Sequence, residues 1–231
     1  MAPPEATPVD DRYGNDLITP DGRAKGGEVL RPNGPWDESE VDAATEIERL
    51  ELGSLRVAPA PGVDVQVQVD EATGNVSLLT FARGDGAVQV QPYAAPRSGG
   101  LWDDVRGQIK SSINQSGGLV EEADGPFGPE LRAQVKSSDG AAGLQPARFV
   151  GIEGPRWFLR AVFLGAAARP GETTTVLEDM VRALVVVRGG EAMPVGAPIP
   201  LVLPQSPDAA GEAGARVPSP FERGPEITET R

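Results

Sequence analysis

Alternation of apolar and polar residues predicts several strands in the first half of the chain. It is clearest from Val63 to Val69, where four valines share one face and Asp64, Gln66 and Gln68 share the other. Further strands are predicted at 50–57, 76–82 and 87–91. Uncharged glutamines on the polar faces of these strands indicate a half-exposed sheet, with a polar ligand-binding face as the alternative.

A helix is predicted to follow these strands. Ser98 or Gly100 can act as its N-cap, and Asp103 and Asp104 fall in the first turn, where the helix dipole favours anions. Gly117, followed by a second glycine, ends it. Its apolar face at helical spacing consists of Leu101, Trp102, Val105, Ile109 and Ile113. We expect the tryptophan of this face to fix the helix on the sheet.

The second half of the chain predicts more strands and a second helix. The strands are expected at 119–122, 130–135, 147–152 and 156–164, with turns at 124–129 and 153–155 and a polar loop at 136–143. The run 156–164 is apolar on both faces, which suits a central, covered strand. Thr173 or Thr174 can cap the second helix, and 185–187 is either its last turn or a short strand. The fold class is therefore α+β, an antiparallel sheet with helices packed on it, in the order strand meander, helix, further antiparallel strands, second helix. This order also suggests a weak likeness to the Mog1/PsbP-type sandwich.

Proline, glycine and charge divide the chain into four predicted segments. They are a disordered N-terminal tail at 1–35, an acidic linker or arm at 36–50, a single α+β domain at 51–203 and a disordered C-terminal tail at 204–231. Trp36 is expected to dock on the domain as an anchor. The acidic run from Asp37 to Glu51 is either a solvated linker or an arm that binds a basic protein partner.

Composition excludes several mechanisms. The chain has no histidine and no cysteine, which removes imidazole catalysis, thiolate nucleophiles, disulfides and the commonest transition-metal ligands. Its net charge of −13 disfavours nucleic acid and anionic membrane surfaces. No apolar run approaches the roughly 18–20 residues that span a bilayer, and the N-terminus lacks the pattern of a secretory signal. We predict a cytoplasmic protein without membrane insertion, cofactor or metal site.

Four residues just before the first predicted helix, Arg97, Ser98, Gly99 and Gly100, form a candidate anion site. Free N–H groups at a helix N-terminus beside an arginine could hold a phosphate or a carboxylate. The stretch matches neither the phosphate loop nor the dinucleotide-binding glycine motif, and the adjacent Asp103 would repel an anion. An ordinary cap and turn is the favoured interpretation, and the anion site is the alternative.

A second candidate is the arginine cluster Arg148, Arg156 and Arg160, which alternates with aromatic residues. Such a pattern can bind nucleic acid by stacking, but core aromatics with arginines at the rim are favoured in an acidic chain. Paired carboxylates could also do glycosidase-like chemistry if the fold brought them together. The carboxylates that flank turns in this region are Asp124, Glu130 and Glu153.

Long sequence blocks carry a family resemblance. They read GPWD at 34–37, LGSLRV at 52–57, VDVQVQVD at 63–70, AAPRSGGLWD at 94–103, GPFGPEL at 125–131, RFVGIEGPRWFLR at 148–160 and VVRG at 186–189. From Gly34 to Leu203 the chain resembles the actinobacterial domain-of-unknown-function family 3710. The resemblance implies a cytoplasmic actinobacterial protein with no established activity.

Three functions remain open. The first is a non-enzymatic protein-interaction or adaptor domain, and the second is a small-molecule or anion-binding module. The third, a carboxylate- and arginine-based enzyme, is least favoured. A deep pocket with buried arginine or glutamate would favour the second or the third, whereas a flat apolar patch beside the acidic segment would favour the first.

Overall fold

The computed structural model describes residues 31, 33–41, 47–69, 76–136 and 143–203. The predicted C-terminal tail and most of the predicted N-terminal tail and acidic linker lie outside the described residues, as do most of the loop at 136–143 and the turn after Val69.

The described residues form eleven strands and two α-helices. The strands are β1 (Trp36–Asp37), β2 (Leu50–Glu51), β3 (Leu55–Val57), β4 (Asp64–Val69), β5 (Val76–Arg83), β6 (Gly86–Ala94), β7 (Leu119–Gly125), β8 (Gly128–Lys136), β9 (Leu144–Gly154), β10 (Trp157–Gly165) and β11 (Val185–Val186). The helices are α1 (Leu101–Gln115) and α2 (Glu172–Ala183), and short 3-10 turns lie at Glu38–Glu40 and Ala166–Ala168. The predicted α+β class is confirmed.

Seven strands make one antiparallel sheet in the order β4-β5-β6-β10-β9-β8-β7. It consists of two meanders, β4 to β6 and β7 to β10, joined where β6 pairs with β10. α1 is the connection between them. β10 lies in the middle of the sheet, and its side chains Trp157, Leu159 and Phe163 are fully buried. These three side chains share one face, whereas Arg160, Val162 and Leu164 on the other face are only half-buried. The predicted central position of the strand is therefore confirmed, but the predicted full cover of both faces is not.

A smaller sheet, in the order β1-β11-β3-β2, packs beside α2. β1 runs parallel to β11, and the Trp36 N–H donates a hydrogen bond to the Leu184 carbonyl over 2.9 Å. This pairing attaches the chain at Trp36 to the rest of the fold, as the predicted anchor requires. It also settles the alternative at 185–187 in favour of a strand.

The two faces of the large sheet are covered differently. α2 and the small sheet pack on one face and enclose the main core, which includes Phe81, Phe163 and Leu177. Each large apolar side chain buried there contributes about 1.5–3 kcal/mol. α1 packs on the opposite face, mainly over β7, β8 and β9, and its Trp102 also reaches Phe158 of β10. Among the described residues, that face of β4, β5 and β6 has no covering element, which agrees with the predicted half-exposed sheet.

Of the two N-caps predicted for α1, Gly100 is confirmed, whereas the cap of α2 and one turn differ from the sequence predictions. α1 is capped by the Gly100 backbone at φ +88° without a side-chain hydrogen bond, so Ser98 is not its cap. α2 begins after Gly171, and the Thr174 hydroxyl donates to the Ala167 carbonyl over 3.2 Å instead of capping the helix. The turn predicted at 153–155 lies later, since β9 continues to Gly154, which pairs with Trp157.

Candidate functional site

The predicted anion site is bound by a carboxylate of the chain itself. The Gly100 N–H and the Trp102 N–H each donate a hydrogen bond to Glu153, over 2.9 Å in both cases. Glu153 is buried at the end of β9, whereas Arg97 and Ser98 are exposed. An external anion would have to compete with this carboxylate for the same donors. Anion binding at Arg97 to Gly100 stays a prediction. The helix N–H groups that would bind such an anion already donate to Glu153.

Trp102 holds α1 on the sheet, as its place on the apolar face predicts. Its ring stacks on Phe158 at 5.9 Å between centroids, and its Nε1–H donates to the Pro129 carbonyl over 2.7 Å. The ring lies so close to Gly151 that a Cβ there would come within 2.2 Å of it. The start of α1 is therefore a packed joint.

The predicted arginine cluster does not form. Arg148 lies on the core face of β9, with its guanidinium 4.2 Å from the centre of the Phe163 ring. Arg160 lies on the other face of the sheet, 5.4 Å from the ring of Tyr93. Arg156 sits in the turn between β9 and β10, at φ +61°. Arg160 pairs with Gly151, which lies three residues from Arg148 along β9. Residues an odd number apart on a strand face opposite sides, so the two arginines are on different faces.

The flanking carboxylates are also separated. Glu130 pairs across the strands with Val150, which places it on the core face. Glu153 faces α1 on the opposite side of the sheet. Asp124 is exposed in β7. The fold therefore does not bring Glu130 and Glu153 together as a catalytic pair.

Part of the acidic segment is bound to the fold. Asp37 accepts a hydrogen bond from the Trp157 Nε1–H over 2.8 Å, and it also caps the 3-10 turn that follows. Glu40 pairs with Arg31 at 2.8 Å, and Glu51 pairs with Arg56 at 2.9 Å. The two ends of the predicted arm are therefore attached, and residues 42–46 lie outside the described residues.

One concave feature is a groove of about 840 Å³. One wall is the core-side face of β7, β8 and β9 beyond the edge of α2, and the other runs from Ala168 to Glu178. Leu119, 66% exposed, lies at the sheet wall. The charged and hydroxyl side chains of the lining include Glu121, Arg132, Arg148, Arg169, Thr174 and Glu178. We call this feature the β7–α2 groove.

A chain of ion pairs forms the floor of the β7–α2 groove. Glu130 is fully buried and accepts from the Arg132 Nε–H over 2.9 Å, with Arg148 Nη1 3.6 Å from its other oxygen. Arg148 Nη2 contacts Glu178 at 2.6 Å, and the second Glu178 oxygen contacts Arg182 at 3.2 Å. Charges alternate along the whole chain of contacts, so each buried carboxylate has arginine partners.

From sequence, Arg148 is predicted as part of an arginine cluster and Glu130 as a carboxylate that flanks a turn. No role is predicted for Glu178. A signal was present, because Glu178 follows Thr174 by four residues and lies beside the apolar positions Leu177 and Val181 of α2. A glutamate that is buried beside the apolar stripe of an amphipathic helix needs a cation or hydrogen-bond donors as partners. Which arginine supplies that cation depends on the register of the sheet.

A smaller polar cluster lies on the open face of the sheet. The Tyr93 hydroxyl donates to the Gln91 side-chain oxygen, which also accepts from Arg160 over 3.1 Å. Burial raises the pKa of Tyr93 above its ordinary value, and the positive charge of Arg160 opposes part of that rise.

Tyr93 should therefore titrate above an unfolded tyrosine. The neutral phenol contributes stability that is fully present below the ordinary pKa of about 10 and is lost as the pH rises through the higher folded value. The chain has two tyrosines, so Tyr13→Phe leaves Tyr93 as the only reporter. Near-ultraviolet phenolate absorbance should give a higher midpoint in the native protein than in urea. Equal midpoints would contradict the burial of this hydroxyl.

Two further properties concern the described ranges alone. No three of their acidic side chains are grouped so that they could hold a metal ion. Neither helix is long and apolar enough to cross a membrane.

No curated protein matches the chain. The chain is similar to the solution structure of cyanobacterial PsbP (CyanoP) from Synechocystis sp. PCC 6803, at 12% identity and a TM-score of 0.37, over 63% of this chain and 96% of that one. A family model described as "Protein of unknown function (DUF3710)" matches residues 34–210, and the chain therefore belongs to that family.

Proposed function

We propose that the chain is a non-enzymatic binding module whose β7–α2 groove takes an extended segment of a protein partner. The observation that carries the proposal is the exposure of a large apolar side chain, Leu119, in the same groove as the half-exposed Arg132. Apolar contact area beside arginine is typical of surfaces that bind polypeptides. The proposal keeps the cytoplasmic location that the family resemblance implies.

Charge indicates the kind of segment. Arg132 lies on the sheet wall, with its side chain 49% exposed, and Arg169 lies exposed on the opposite wall. The buried carboxylates Glu130 and Glu178 already have arginine partners, whereas the outward-facing arginines retain N–H groups that can bind carboxylates. An apolar segment with one or two acidic residues fits this arrangement.

The same contacts support binding in preference to catalysis. A general acid or base must reach the reacting group with a free oxygen. Glu178 is held by arginines, and Glu153 is held by two backbone N–H groups. One oxygen of Glu130 accepts no hydrogen bond, but this side chain is fully buried and cannot reach a substrate. With histidine and cysteine missing from the whole sequence, the remaining residues favour recognition.

Charge reversal of both walls tests the proposal. The double variant Arg132→Glu and Arg169→Glu should weaken binding of the partner about tenfold or more, because both carboxylate-binding groups are inverted. A tagged chain is purified from its host, the stoichiometric partner is identified, and its Kd for each variant is then measured with purified components.

The matched control is the double variant Arg56→Glu and Lys110→Glu, which changes net charge equally at sites that do not line the groove. It should bind as the unmodified chain does. Equal weakening by both double variants would show that only net charge matters and would overturn the assignment to the groove. The lack of any stoichiometric partner would overturn the binding function itself.

A further inference from the structure

The two edges of the large sheet are protected to different degrees. β4 and β7 are the end strands, and β4 pairs with β5 alone among the described residues. Every second residue of an antiparallel edge strand directs its N–H and C=O groups outward, where another strand can pair with them. Natural proteins guard such edges with charge, proline or bulges.

β7 is guarded along its length, whereas β4 has a charge only at its first residue and a register shift only after Gln68. β7 carries three carboxylates in seven residues, Glu121, Glu122 and Asp124. β4 reads DVQVQV, with a single charge at its first residue, Asp64, and no lysine or proline. Val65 and Val67 are only half-buried against the core, and Val69 is 42% exposed. β4 is thus the edge at which a further strand can be added.

The pattern of β4 is complementary to itself. Its pairing with β5 is regular from Asp64 to Gln68, where a register shift follows, so Gln66 is the midpoint of the regular run. Antiparallel pairing of two copies about Gln66 places Gln66 opposite Gln66, Val65 opposite Val67 and Asp64 opposite Gln68. Valines then meet on the core side and polar side chains meet on the other, with no like charges facing each other.

A shift of one residue removes this match. Valine would then lie opposite glutamine along the whole strand, because the side-chain period of a strand is two. The occupant that the edge fits best is therefore a second copy of the same strand. We propose that the chain forms a twofold dimer in which β4 pairs with β4 about Gln66, joining the two large sheets.

The dimer goes beyond the proposed binding function and does not depend on it. β7, which lines the β7–α2 groove, is at the opposite edge of the sheet from β4. A dimer would therefore carry two grooves at its outer ends and could hold two partner segments at once. Bivalent binding of this kind raises avidity without new contacts.

Cysteine cross-linking tests the strand and its register, since the natural chain has no cysteine. Opposed residues of an antiparallel pair have Cα atoms about 4.5–5.5 Å apart, which a disulfide can bridge. Gln66→Cys alone should form a covalent dimer on mild oxidation. Asp64→Cys and Gln68→Cys should cross-link when mixed and much less when separate. Gln108→Cys, on the exposed side of α1, is the control for random collision.

Sedimentation equilibrium of the unmodified full chain should give a mass twice that of the chain. Gln66→Lys should give a folded monomer, because two lysines would face each other only in the dimer. Its Tm should match that of the unmodified chain diluted until it is monomeric. A monomeric unmodified chain would overturn the proposal. A dimer that Gln66→Lys leaves intact, or in which Gln66→Cys cross-links no faster than Gln108→Cys, would also overturn it. Partner binding at the groove is measured separately, so either idea can fail alone.

Discussion

Replacing Arg148 with alanine should lower the free energy of unfolding by about 3–5 kcal/mol, the usual cost of removing one partner from a buried ion pair. The Arg148 side chain is 7% exposed and lies between Glu178, at 2.6 Å, and the fully buried Glu130, at 3.6 Å. Its removal leaves Glu130 with Arg132 alone and also deletes the contact with the Phe163 ring. Urea unfolding at neutral pH, followed by tryptophan fluorescence, measures the loss.

Arg132→Ala is the matched control, because it removes a half-exposed arginine from the same carboxylate. We expect it to cost about 1–3 kcal/mol, less than Arg148→Ala, because Glu130 loses a single hydrogen bond and keeps Arg148 nearby, whereas Arg148→Ala removes contacts with two carboxylates and the Phe163 ring. The double variant Glu130→Leu and Arg148→Leu should recover part of the loss, because Glu130 is then no longer a buried charge, while Glu178 keeps Arg182 alone. If Arg148→Ala cost no more than Arg132→Ala, water in the β7–α2 groove would have to solvate both carboxylates.

The elements that sequence predicted well are those decided within a few residues. The alternation of β4 and the apolar run of β10 each indicate, within a few residues, that the segment is a strand and how deeply it lies in the sheet. The pairing of β6 with β10, by contrast, joins two strands that are separated along the chain by α1 and three further strands. No local pattern encodes that pairing, yet it decides which strand is central and which strands become edges.

The arginine cluster shows how a small error in the predicted position of a turn changes a predicted site. A turn at 153–155 would place Arg148 opposite Arg160 on one face of a hairpin. The observed turn, after Gly154, pairs Arg148 with Phe163 instead and moves Arg160 to the other face. Because side chains alternate along a strand, an odd shift in register exchanges the two faces completely. The turn position therefore decides whether the arginines form one surface or belong to two.

The start of α1 depends even more on contacts between distant residues. Aspartates in the first turn and glycines before it correctly predicted where the helix begins. The acceptor of its free N–H groups is a glutamate more than 50 residues later, which only the β9–β10 hairpin brings to that place. A helix whose N-cap side chain is missing needs such a substitute, because its first N–H groups have no partner within the helix.

Glu153→Leu should consequently cost about 3 kcal/mol or more, because two hydrogen bonds to a charged group are lost and the N–H groups of Gly100 and Trp102 are left without acceptors. Glu153→Gln keeps one carbonyl oxygen and should lose about half as much. Urea unfolding gives the free energy, and amide hydrogen exchange at Trp102 shows whether the loss begins at the helix start. A cost near zero would mean that water satisfies these donors.

Inorganic phosphate should stabilise Glu153→Leu only if the vacated helix start can hold an external anion. A requirement for Arg97 in that effect would support the anion-site prediction.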